Sequence, residues 1–86
     1  MTLKPHPDVV VQEVQDELVL LHLGTEQYFG LEKVGMLIWG LLGQGLQRDA
    51  ILDHLAQEYS VPRPQLADDL DDLLQSLQQR GLLQQV

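Results

Sequence analysis

The hydrophobic period of this chain changes once, after Leu31, and that change restricts the fold more than any other property. Before it, three apolar runs are separated by breaks of only two or three residues. Val9 to Val14 is rich in β-branched residues and predicts a strand. Gln15-Asp16 breaks it, and Glu17 to Leu23 predicts a second strand, buried because its apolar run is nearly continuous. Gly24-Thr25-Glu26 makes the next turn, and Gln27 to Leu31 is a short aromatic third strand. Connections this short permit only hairpins, so the strands form an antiparallel meander.

After Leu31 the period is helical. Val34, Leu37, Ile38, Leu41 and Leu42 share one face, and Gly43 and Gly45 end that helix. A second helix runs from about Gln47 to Tyr59, with Ile51, Leu52, Leu55, Ala56 and Tyr59 as its stripe. Pro62 and Pro64 interrupt, and Pro64 suits the first position of a third helix. Leu66, Leu70, Leu73, Leu74 and Leu77 line one face of that helix, which Gly81 closes. Leu82 to Val86 is a short apolar tail able to pack back onto the sheet. Strands followed by helices predict an α+β domain, a three-stranded meander and then three helices, winged-helix-like in architecture. Pro5 and Pro7 predict a flexible segment over residues 1–8, leaving residues 9–86 as a single domain.

Eighty-six residues suffice for one core and not two. Hydrophobic residues at 44% separate the chain from disordered acidic tails. Five Lys+Arg against 13 Asp+Glu give a net charge of -8, which argues against phosphate-backbone binding. The absence of Cys removes disulfides and thiolate chemistry. No apolar run is long enough to span a membrane, and no signal-peptide core opens the chain, so a cytoplasmic domain is expected.

Catalytic patterns are missing. His6, His22 and His54 fall in different elements without the i, i+4 spacing of paired metal ligands. His22, in an apolar strand, reads as a satisfied, partly buried residue. Neither Ser60 nor Ser76 sits in a nucleophile motif. No metal or cofactor is expected. Asp68, Asp69, Asp71 and Asp72 fit a solvated face that complements a helix N-terminus, or an electrostatic guide for a basic or polar ligand. A third reading, metal binding, lacks the Asp-x-Asp-x-Asp-Gly loop that would support calcium. Trp39 and Tyr59 read as core. Tyr28 and Phe29 are adjacent on a strand, so they point to opposite sheet faces. The third strand is an edge without Pro or Lys to blunt it, open to an extended peptide adding as a further strand.

Leu18 to Leu31, then Val34-Gly35 and Ile38 to Leu42, resemble the PqqD-like family. Gly45, the Ile51 to Tyr59 helix, Val61, the Asp69 to Leu77 spacing and Gly81-Leu82-Leu83 agree with it, so the likeness covers roughly residues 9–83. The resemblance implies a non-catalytic recognition element for ribosomally made, modified peptides. Such elements hold the leader segment of a precursor as an added strand, in a cleft against the third helix, and present it to modifying enzymes. Carried onto this sequence, the binding strand is Gln27, Tyr28, Phe29, Gly30 and Leu31. The opposing wall comes from Leu66, Asp69, Leu70, Leu73, Ser76 and Leu77, with Ala67 and Leu74 on the other flank. The chain looks most like the stand-alone elements of lasso-peptide pathways, whose partners are a leader peptidase and a cyclase. One departure is Glu32, where members often carry Asn, a better helix N-cap. Competing readings are a winged-helix-like transcriptional regulator and a domain that homodimerises through the same edge, so the expected state is a monomer or an edge-paired homodimer.

Overall fold

The computed structural model describes residues 2–86. The expected meander is β2 (Val9–Val14), β3 (Glu17–His22) and β4 (Tyr28–Glu32), antiparallel in the order β2-β3-β4. The three helices follow as α1 (Val34–Gly43), α2 (Arg48–Glu58) and α3 (Arg63–Gln79). Two short strands, β1 (Leu3–Pro5) and β5 (Leu83–Gln85), pair antiparallel as a separate sheet. The protein is an α+β domain.

The register divides the meander into two faces. Val11, Leu20 and Phe29 lie opposite one another on the inner face, and Val10, Leu21 and Tyr28 do so on the outer face. Leu20 is fully buried and Leu31 almost so. Ile38, Trp39, Leu41 and Leu42 of α1, Ile51, Leu52 and Leu55 of α2, and Leu66, Leu70, Leu74 and Leu77 of α3 complete the core with Leu82 and Leu83. Each stripe leucine removed from water contributes about 1.5–3 kcal/mol, which is how so short a chain offsets its conformational entropy. Trp39 is a core residue, as expected.

The N-terminal segment holds a strand that the sequence pattern does not predict. Leu3–Pro5 form β1, and Leu83–Gln85 of the tail pair with it as β5, while Leu82 and Leu83 join the core beneath the meander. Reciprocal hydrogen bonds join Thr2 and Val86, and His6 N–H donates to the Leu82 carbonyl. Alternation along an antiparallel pair then turns the Pro5 nitrogen away from β5, where the missing donor breaks no ladder bond. Leu3 also faces outward, and the Gln47 side chain meets it. Gln47 Oε1 accepts the Leu3 N–H at 2.8 Å, and its Nε2 donates to the Leu3 carbonyl at 3.1 Å.

Helix boundaries follow local chemistry with small shifts. Pro62 is the α3 N-cap and Pro64 the second helical residue, one later than expected. Gly81, at φ +72°, provides the left-handed residue past the α3 C-terminus. α1 starts without a side-chain cap, and its cap position is Lys33, at φ +45°, whereas Glu32, expected to matter as the cap, is the last residue of β4. His22 is 7% exposed and satisfied, its Nδ1 accepting the Gly24 and Thr25 N–H groups. His6, far away in sequence, packs its ring 4.5 Å from that of His22.

Candidate peptide-binding cleft

A cleft of about 410 Å³ opens between β4 and α3. Its strand side is Phe29, Gly30, Leu31 and Glu32, and its helix side is Leu66, Asp69, Leu70 and Leu73. Leu31, Ile38 and Leu55 are buried residues that form apolar wall, while Asp69, Glu32 and Gln65 are exposed and polar. Gly35 brings α1 close to β4, since a Cβ there would stand 3.1 Å from Leu31 Cδ2. The Arg80 guanidinium lies 5.0 Å from the centre of the Phe29 ring, at cation–π distance.

The β4 backbone is presented in a defined way. His22 N–H donates to the Gln27 carbonyl at 2.9 Å, which sets the phase of the β3–β4 ladder. Continuing that alternation through the register pairs Phe29 and Leu31 to β3 and turns the N–H and C=O groups of Tyr28, Gly30 and Glu32 outward. The β2–β3 ladder agrees in phase, because Leu23 N–H donates to the Asp8 carbonyl. No strand or helix covers the outer side of β4 among the described residues.

Phe29, Gly30, Leu31, Leu66, Asp69, Leu70 and Leu73 of the anticipated set thus come together at one cleft. Four others do not line it. The Tyr28 side chain lies on the outer sheet face, 71% exposed, although its backbone is at the edge. Gln27 precedes the strand and spends its carbonyl on His22. Leu77 is fully buried core, and Ser76 lies on α3 outside the cleft lining. Ala67 packs partly buried against the core, and Leu74 belongs to it. Tyr59, read as core, packs partly buried against it and also forms cleft wall, with Val61 beside it.

The four aspartates of α3 separate in space. Asp71 receives two hydrogen bonds from Arg48, at 2.6 and 3.0 Å, tying α3 to α2. These bonds hold the Asp71 carboxyl below its ordinary value and push the Arg48 guanidinium further up. A second tie runs from Arg63 to Asp53 at 2.6 Å. Only Asp69 of the four reaches the cleft.

Two solved structures resemble this one along nearly its whole length. One is TbiB1 in complex with the TbiA(beta) leader peptide, 44% identical over 96% of each chain, with a TM-score of 0.89. The other is a lasso peptide synthetase B1 complexed with the leader peptide, 25% identical over 99% of this chain and 100% of that one, with a TM-score of 0.90. No curated protein sequence matches. The family described as Coenzyme PQQ synthesis protein D (PqqD) matches residues 17–83. With that match spanning β3 through α3 and every element of the cleft, the chain belongs to the PqqD family.

Proposed function

We propose that this protein is a non-catalytic recognition element that binds the leader segment of a ribosomally synthesised precursor peptide. The leader adds as a strand to the outer edge of β4, occupies the cleft against α3, and is presented to the leader peptidase and cyclase of a lasso-peptide pathway. The observation that carries this reading is the juxtaposition of outward backbone groups at Tyr28, Gly30 and Glu32 with an apolar cleft of about 410 Å³. Main-chain bonds supply generic affinity, and the cleft supplies side-chain selection. The likeness to two leader-peptide complexes supports the same assignment. Micromolar to nanomolar binding requires about 8–12 kcal/mol, within reach of an added strand and two or three buried side chains.

The direct test is fluorescence polarisation with end-labelled TbiA(beta) leader peptide as probe. Saturable binding is expected, with poor binding of the core segment of the same precursor. Equal binding of both segments overturns the proposal.

A further inference from the structure

Gly30 is the residue of the β4 edge whose side-chain position is already taken. A Cβ built there would collide with Glu17 Oε1, so the Glu17 carboxylate fills the space that a side chain at position 30 would occupy. Glu17 reaches this point from β3, on the outer face of the sheet, diagonally across from Gly30. Directly opposite Glu17 in the register is Glu32, so two acidic residues are paired at the end of the outer face. Like charges placed this way repel. Neither forms an ion pair among the described residues. The adjoining shallow surface adds Asp16 and a single cation, Lys33.

A strand added to β4 places alternate side chains on this outer face and the rest in the cleft. The outward residue opposite Gly30 has no side chain directly across from it on β4, only Tyr28 and Glu32 on the diagonals. It meets the Glu17 carboxylate instead, with Glu32 as the next outward position along the strand. We propose that Glu17 is a specificity-determining residue for the bound peptide, selecting Lys or Arg at the outward-facing position opposite Gly30. This rests on the leader-binding reading and adds to the apolar cleft a charge requirement on the opposite face of the same strand. Gly30 is integral to it, because any side chain there displaces the carboxylate.

The test is a charge scan of the labelled TbiA(beta) leader, with Lys or Glu placed at each position in turn, read by fluorescence polarisation. On the unmodified protein, one position should favour Lys over Glu by about three- to tenfold, the size expected of a partly exposed ion pair. Glu17→Gln should abolish that preference, and Glu17→Lys should reverse it. Gly30→Ala keeps the charge but moves the carboxylate, and should reduce the preference without removing leader binding. A preference that survives Glu17→Gln, or a scan with no discriminating position, overturns the role of Glu17 while leaving the leader-binding reading intact. Failure of every leader variant to bind overturns that reading, and the inference with it.

Discussion

The outward edges of β1 and β4 are built oppositely. Along β1 the two outward positions are Leu3 and Pro5. The Gln47 amide satisfies both backbone groups of Leu3, and Pro5 has no N–H to offer. Along β4 the outward positions are Tyr28, Gly30 and Glu32, with a groove alongside and no side chain supplied to cover them. An unpaired edge invites association, and folded chains usually blunt it. This chain covers the β1 edge and leaves the β4 edge open beside an apolar groove, the arrangement on which the proposed strand addition rests.

The contrast can be broken by mutation. Gly30→Pro removes an outward N–H from β4 but no bond of the β3 ladder. It should weaken leader binding at least about tenfold with the circular dichroism spectrum retained. Val11→Pro makes the same change on the free side of β2, and leader affinity should be unchanged. If the two variants behave alike, the β4 edge is not special. Gln47→Ala does the reverse, stripping the cover from β1. It should lower stability by about 1–2 kcal/mol in urea melts, leave leader affinity intact, and promote self-association detectable by analytical ultracentrifugation. Leu73→Ala trims the helix wall of the cleft and should cost about 1 kcal/mol of leader binding by titration calorimetry.

The smallest effect concerns the tie that positions α3. The Asp71 carboxyl titrates below its ordinary value in the folded protein because Arg48 donates to it. Its contribution to stability is therefore present above the ordinary carboxylate range and is lost as pH falls through the lowered folded value. Asp71→Asn should flatten this part of the acid dependence in urea melts between pH 7 and pH 3, with a small change at neutrality, as both partners are exposed.

Much of this was legible in the sequence because it depends on local period. Alternation assigned Phe29 and Tyr28 to opposite faces, and helical spacing brought Leu66, Leu70 and Leu73 onto one stripe. β1 escaped for a physical reason. Its partner, β5, lies some 80 residues away, and Pro5 read as a breaker when its nitrogen merely faces out of the ladder. Tyr59 and Val61 escaped because the path of the α2–α3 connection is set by packing and not by its own pattern. A Tyr at the end of an amphipathic helix, followed by an exposed Val and two prolines, was the available signal. The aspartate cluster looked like one feature, since contiguity in sequence conceals that Asp69 and Asp71 leave the helix in different directions. The Glu17 carboxylate over Gly30 needed the register itself.

The reciprocal bonds between Thr2 and Val86 have an engineering consequence. Both ends of the described chain meet in a sheet that contributes nothing to the cleft. The domain is therefore closed like a ring, and a short linker across this point permits a new opening at the Gln15-Asp16 turn. By the same geometry, the whole unit can be spliced into a surface loop of another protein with its cleft undisturbed.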